Sequence, residues 1–259
     1  MALILLPLPE DTTTYTQLSM GNADAAILQD RDMTVLIDTG EDGRAAAEYL
    51  HKRRQSVEML LLTHLHTDHS SGLRALLDQG IPVEVCCLPA DAQTPVIDAE
   101  TLPLLAELAQ TGTVFRSLSR DDVIDLPSGS LTVLWPEKGR VFPMHDANDT
   151  CLVLQADIGG VTMLLTSDLS GGYEQYAALP ADILKVAHHG SAASTSGAFL
   201  EKVQPQLLLL SNKDETREAR MAEAAGDVPL YSTAKDGGIT IRLLGEGGFE
   251  VDTSSVGWR

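Results

Sequence analysis

Thr63-His64-Leu65-His66-Thr67-Asp68-His69 follows directly on the apolar run Met59–Leu62, and it gathers three imidazoles and a carboxylate within six residues. Few folds want that much polar chemistry at the end of a buried strand. In an extended segment, side chains two apart share a face. His64 and His66 can therefore grip one metal ion, while the turn that follows aims Asp68 and His69 at a second. Histidine and carboxylate ligands without thiolates nearby suit a catalytic zinc or manganese site with an open position better than a closed structural one. A lone histidine is more often a satisfied core or surface residue; the whole H-x-H-x-D-H cluster is poorly explained that way.

A chain of 259 residues with 44% hydrophobic content has ample material for one large α/β core. There is no Pro/Ser-rich tract, charge block or internal repeat to mark a linker, so residues 1–259 read as a single domain. No apolar run approaches the ~18 residues of a membrane span. Met1 to Leu8 is apolar but lacks a basic flank and a cleavage site, which makes it a poor signal peptide; it reads as a strand, or as the stub of a longer polypeptide. Cys86, Cys87 and Cys151 are odd in number and include no C-x-x-C pair, so free and mostly buried thiols are expected.

The 37 acids against 18 Lys and Arg leave a formal charge of −19, which opposes nonspecific attraction to nucleic acid or to anionic membranes. Any polyanion would have to be bound locally. His51-Lys52-Arg53-Arg54 is one compact basic patch, and its plainer reading is a solvated helix C-terminus where cations suit the helix dipole.

Hydrophobic periodicity alternates strands and helices. Strands are expected at Tyr15–Met20, Ala25–Gln29, Met33–Ile37, Met59–Leu62, Val83–Cys87, Val114–Leu118, Val123–Leu126 and Leu131–Trp135. Leu152–Ala156 and Val161–Thr166 read as a hairpin around Gly159-Gly160, followed by strands at Ile183–Ala187, Leu207–Leu210, Pro229–Ser232 and Gly238–Leu243. Helices are expected at Gly43–Arg54, Gly72–Leu77, Glu100–Gln110, Gly171–Ala178, Ser196–Val203 and Glu215–Ala225. Taken alone, this pattern says only α/β.

Further ligand-type residues close other strands: Leu36-Ile37-Asp38-Thr39-Gly40, Leu164-Leu165-Thr166-Ser167-Asp168 and Ile183-Leu184-Lys185-Val186-Ala187-His188-His189-Gly190-Ser191. With the histidine cluster, these segments resemble the metallo-β-lactamase fold superfamily over nearly the whole chain. That resemblance implies a four-layer αββα sandwich. The second half, with Asn148-Asp149-Thr150-Cys151-Leu152-Val153-Leu154 and the His188-His189 segment, is most similar to the C-terminal hydrolase domain of ComEC-type competence proteins and their free-standing relatives. Members of that group, and the related phosphorylcholine esterases, act on phosphate esters. Location would follow the context: cytoplasmic for a free-standing protein, the outer face of a membrane for a piece of a ComEC-type polypeptide.

The resemblance implies two divalent ions, zinc or manganese, sharing Asp168 and activating water. His64 and His66 would hold one ion together with either His145 or Asn148, and Asp68, His69 and His189 the other, with Asp38 steadying the metal loop from behind. A neutral amide oxygen is a weaker ligand for zinc than for manganese, so an Asn148 site would lose its ion more readily. Adjacent residues leaving a strand point opposite ways, so His188 is expected to serve substrate phosphate or leaving group rather than the ion held by His189. Asp68 and Asp168 join it as catalytic candidates, and Asn22, Asn148, Ser191, Ser194 and Thr195 as substrate-binding ones, although N-capping alone would explain Ser194 or Thr195.

Two departures bear on substrate. The early D-V-G-Q-G-D segment of the family is here Ser19-Met20-Gly21-Asn22-Ala23-Asp24, and Ser211-Asn212-Lys213-Asp214-Glu215 stands where the family has N-x-Y-G-H-P. Three functions follow. The first is a phosphodiesterase or nuclease with single-stranded DNA among its substrates. The second is a small-molecule hydrolase of a lactone, thioester or β-lactam, and the third a metal-binding interaction module without catalysis.

Overall fold

The computed structural model describes residues 12–90, 100–142 and 146–254; the apolar Met1–Leu8 segment and His145 lie outside these residues. Strands β1 (Thr13–Gln17), β2 (Ala26–Asp30) and β3 (Met33–Ile37) form an antiparallel meander. Helix α1 (Arg44–Arg53) crosses to β4 (Val57–Leu61), which runs parallel to β3. The short helices α2 (Thr67–Ser70) and α3 (Leu73–Asp78) lead to β5 (Val83–Pro89), and α4 (Thr101–Gln110) leads to β6 (Val114–Leu118), both continuing the parallel run. The basic residues His51, Lys52 and Arg53 occupy the exposed last turn of α1, as the dipole favours.

A second sheet repeats this plan. Strands β7 (Val123–Leu126), β8 (Gly129–Trp135), β9 (Val153–Ile158) and β10 (Val161–Leu165) are antiparallel neighbours, with the Gly159-Gly160 turn closing the expected hairpin. Helix α5 (Glu174–Ala177), β11 (Ile183–Lys185), α6 (Gly197–Val203), β12 (Leu207–Leu210), α7 (Glu215–Ala225) and β13 (Leu230–Ser232) extend it in parallel. After α8 (Thr233–Asp236), β14 (Ile239–Gly245) and β15 (Gly248–Thr253) return to the first sheet beside β1. The sheet orders are β15-β14-β1-β2-β3-β4-β5-β6 and β13-β12-β11-β10-β9-β8-β7.

The two-residue period of the strands sorts their side chains into three cores. Met59 and Leu61 of β4 face the space between the sheets, with Met163 and Leu165 of β10 and Leu207 and Leu209 of β12. Leu60 and Leu62 point the other way and pack with Leu50, Leu73, Leu76 and Leu108 of the first helical layer. Leu164, Leu208 and Leu210 face Phe199, Val203 and Met221 of the second. The result is the four-layer αββα sandwich.

Three local expectations change. The helix over Gly171–Ala178 is a 3-10 turn, Gly171–Tyr173, followed by the single turn of α5; two glycines at its start make a poor helix. The strand expected to Ala187 stops at Lys185, and Ala187 N–H donates to the Thr195 hydroxyl instead. Strand β15 was not expected; it pairs on one side only, as the edge of its sheet. Cys86, Cys87 and Cys151 are free and buried, and burial pushes the Cys151 thiol up, away from the thiolate a metal would take.

Candidate metal centre

Both parallel runs end at the same rim, where open α/β sheets place their sites. Asp38 follows β3, Thr63–His69 follow β4, Asp168 follows β10, His188 and His189 follow β11, and Ser211 follows β12. Leaving a strand for such a site demands sharp turns. Asp38 (φ 56), Ser167 (φ 47), His188 (φ 50), His189 (φ 51) and Thr195 (φ 54) all adopt the left-handed region that side chains disfavour.

Asp38 anchors the metal loop. Its carboxylate accepts from Thr63 N–H at 2.7 Å, from the Thr63 hydroxyl at 2.7 Å and from His69 Nδ1 at 2.8 Å. Burial raises the Asp38 carboxyl, and these donors offset only part of that. With Nδ1 spent on Asp38, His69 turns Nε2 inward, 3.4 Å from Asp168 Oδ1. His189 is held in the same way: Nδ1 faces the Ser211 carbonyl at 3.1 Å, while Nε2 lies 3.6 Å from Asp168 Oδ2 and 3.5 Å from Asp68 Oδ2. A donor bond on the far nitrogen fixes the tautomer of a ligating histidine. His64 Nε2 and His66 Nδ1 approach to 3.2 Å, converging as two ligands of one ion would.

Three buried polar atoms at this centre have no hydrogen-bond partner, His69 Nε2, His189 Nε2 and Asp168 Oδ1; Asn148 Oδ1 is also buried without one. Orphaned buried groups are costly, and imidazole nitrogen and carboxylate oxygen are donors of the kind a divalent cation takes. The donor set therefore fits metal ions. One atom each from Asp24, His69, Asp168 and His189 lie within 4.8 Å of one another.

The electrostatics divide the donor set: against the effect of burial, the carboxylates favour the cationic form of His69 and His189 in the absence of an ion, whereas His64 stays neutral. Burial opposes the charge of Asp168, yet His69, His189 and His64 hold its carboxyl well below the usual range. Burial, with His69 close by, drives His64 well below the ordinary imidazole value, leaving it neutral as a ligand must be. Burial likewise works against the His69 cation, but Asp168 and Asp38 lift it well above that value. His188 is lowered by burial, with His189 and Arg217 adding to the effect.

The other expected residues divide. His188 lies in a left-handed turn and not on a strand end, so divergence of the doublet has a different origin; its ring centroid is 6.3 Å from that of His189, and its Nε2 is 3.8 Å from Asp168 Oδ2. Asn148 lies buried on the 3-10 turn Ala147–Thr150. Thr195 spends its hydroxyl on the Ala187 N–H, and Asn22 accepts from the Lys213 N–H at 2.9 Å. The Ser191 hydroxyl faces Ala193 N–H at 3.3 Å, the buried Ser194 hydroxyl has no partner, and Ser196 is the residue that caps α6.

Two residues went unassigned in the sequence reading. Lys185 is fully buried and donates to Asp24, which also accepts from Gln17 at 3.3 Å. Burial alone would raise the Asp24 carboxyl, but Lys185 and the two nearest imidazoles pull it below its ordinary value. A lysine inside the apolar strand Ile183-Leu184-Lys185 was the available signal, because a buried cation needs a buried partner.

A two-sheet sandwich with a histidine and aspartate cluster at the shared strand ends defines a metal-dependent hydrolase scaffold. The chain belongs to the metallo-beta-lactamase superfamily, whose family model matches residues 19–211. It is 30% identical over 162 residues to ComE operon protein 3 of Bacillus subtilis (strain 168), covering 61% of this chain and 20% of that protein. Recombination protein 2 of Haemophilus influenzae is 26% identical over 220 residues, 81% of this chain and 25% of that one. The chain thus spans about a quarter or less of the curated relatives it matches. Among solved structures, the metallo-beta-lactamase fold protein YhfI of Bacillus subtilis superposes with a TM-score of 0.59 at 15% identity, over 90% of this chain and 99% of that one. Among the described residues, no helix is long and apolar enough to cross a membrane.

Proposed function

We propose that this chain is a catalytic domain that hydrolyses phosphodiesters, single-stranded DNA among them, with two divalent ions. The observation that carries the reading is the convergence of three orphaned ligand atoms, from His69, Asp168 and His189, beside a His188 that stays a third exposed. The likeness to ComE operon protein 3 and Recombination protein 2 supports the choice of a nucleic-acid phosphate over other esters.

His64 and His66, with Asn148 or His145, would hold one ion, and Asp68, His69 and His189 the other, with Asp168 serving both. Bound there, such ions supply Lewis acidity and activate water for attack. The protein's part is orientation and proton handling. Asp38 and the Ser211 carbonyl hold His69 and His189 in one tautomer. His188 reaches the rim with its imidazole near Asp168, where it can donate to a phosphate oxygen or a leaving group. Asp68, with 36% of its side chain exposed, is the carboxylate open to incoming solvent.

The net charge of −19 favours a second reading, hydrolysis of a small lactone or thioester. A substrate panel decides between them: bis-p-nitrophenyl phosphate, single-stranded DNA, a lactone and a thioester, each with Zn²⁺ or Mn²⁺ added to metal-free protein. The expected outcome is phosphodiester turnover that is lost with chelator and with Asp168→Ala, which should also lower metal content without unfolding the protein. Rapid lactone or thioester cleavage with every phosphodiester intact overturns the proposal.

A further inference from the structure

The Ser211–Asp214 loop and helix α7 bring two cations to the rim that the ligand set does not use. Lys213 follows two residues after Ser211, whose carbonyl holds His189, and its N–H donates to Asn22. Its aliphatic stem lies over Gly21, where an added Cβ would be 3.4 Å from Lys213 Cδ. The Lys213 ammonium has no ion pair or hydrogen bond among the described residues, and the residue is exposed. One turn into α7, Arg217 packs against the histidine turn: a Cβ on Gly190 would lie 3.6 Å from Arg217 Cβ. Arg220, further along the same helix, donates to the Gly190 carbonyl and pins α7 there. Arg217 has a single ion pair among the described residues, a loose one from Nε to Asp214 at 3.6 Å, while Asp214 is occupied in capping α7.

A cleft of about 600 Å³ beside Gly21 is lined by Glu41, Asp42 and Glu48, and its Arg44 is taken by Asp42. In a molecule of net −19, phosphate groups are repelled from such a cleft, whereas Lys213 and Arg217 are cations without a tight partner among the described residues.

We propose that Lys213 and Arg217 form an anion-binding lip of the candidate centre, holding the phosphate of the nucleotide next to the scissile one. The inference rests on the phosphodiesterase reading and gives that reading its substrate-positioning residues. Arginine offers a fork suited to phosphate oxygens and lysine a mobile point charge.

The test is equilibrium binding of a short fluorescein-labelled oligothymidylate to chelator-treated protein, followed by anisotropy across a salt series. Lys213→Gln combined with Arg217→Gln should weaken binding about tenfold at low salt and lower the log–log salt slope by about 1.4, ~0.7 for each lost contact on a single strand. Lys213→Arg with Arg217→Lys should keep both affinity and slope, and circular dichroism should be unchanged in either variant. In ion-loaded enzyme, the glutamine pair should raise KM for the oligonucleotide more than for bis-p-nitrophenyl phosphate, which has no neighbouring phosphate. Unchanged affinity and slope in the glutamine pair, or no binding by the parent protein, overturns the lip; phosphodiester turnover in that case still upholds the function proposed above. Binding lost in the variant, from a parent that cleaves no phosphodiester, upholds phosphate binding by the two cations but overturns both the phosphodiesterase reading and their place beside a scissile phosphate.

Discussion

His69 and His189 each spend one ring nitrogen on a fixed acceptor and turn the other inward, whereas His188 is held only loosely, 3.8 Å from Asp168. That asymmetry separates their roles. His189→Ala should reduce the number of ions bound per protein, measured by elemental analysis; His188→Ala should retain them and lose turnover. The reverse pattern would exchange the two assignments. The buried Asp24–Lys185 pair gives a second residue-scale test. Removing one partner of such a pair costs about 3–5 kcal/mol, so Lys185→Met should lower the urea stability of metal-free protein by that order, and adding Asp24→Leu should restore much of it. The pH dependence follows from the shifts. Asp24 is lowered from 3.8, so its contribution is present above that value and lost as pH falls through the lower, folded one. Lys185 is raised from 10.5, so its contribution holds below that value and goes as pH rises through the higher one. The gap between parent and Lys185→Met should thus be flat around neutrality and shrink in acid; a gap that widens below pH 4 would rule out this pair as its source.

At the scale of elements, the metal loop depends on how closely α1 and α3 approach. A Cβ on Gly72 would meet the Thr39 carbonyl oxygen at 2.1 Å, and Gly72 N–H donates to Gly40 O at 2.8 Å. Thr39 N–H in turn donates to His69 O at 2.7 Å, so the crowding would reach a ligand. Gly72→Ala should cost about 3 kcal/mol or more and lower metal content, while Gly172→Ala, with open space around it, should do neither. Most elements were legible because alternation and strand-end punctuation agree: Met59 to Leu62 alone reads as a strand buried on both faces. The ligand-bearing strand ends were equally plain, since histidines and aspartates directly after apolar runs have few other uses. What sequence could not carry were interactions across distance. Nothing local says that Lys185 meets Asp24 161 residues away, or that the Ser211 carbonyl will orient His189. Nor could it foresee that His188 and His189 lie in a left-handed turn, because the strand before them looked two residues longer. Asn148 has a buried, unpartnered Oδ1, while His145 lies outside the described residues, so the alternative between them stands as the sequence leaves it.

Across the whole molecule, ligands come from both sheets: His64 and His69 from the first, Asp168 and His189 from the second. An ion that binds only the folded arrangement stabilises it by about 2.7 kcal/mol at a free concentration 100 times its Kd. Chelator should therefore lower the urea midpoint, and Zn²⁺ or Mn²⁺ should restore it in proportion to the logarithm of concentration; a midpoint indifferent to metal would show that the centre is not loaded.

Thr63 belongs to this same picture. Its N–H and hydroxyl are given to Asp38 in the first sheet, its carbonyl accepts from Leu152 N–H at 2.8 Å, and its oxygen accepts from the Ser167 hydroxyl at 2.7 Å, both in the second. One small side chain thereby stitches together the two halves of the molecule directly beneath the ligands. Ions held at the proposed centre would sit on this same seam, so an occupant of the centre would act as a rivet between the two halves as well as a reagent.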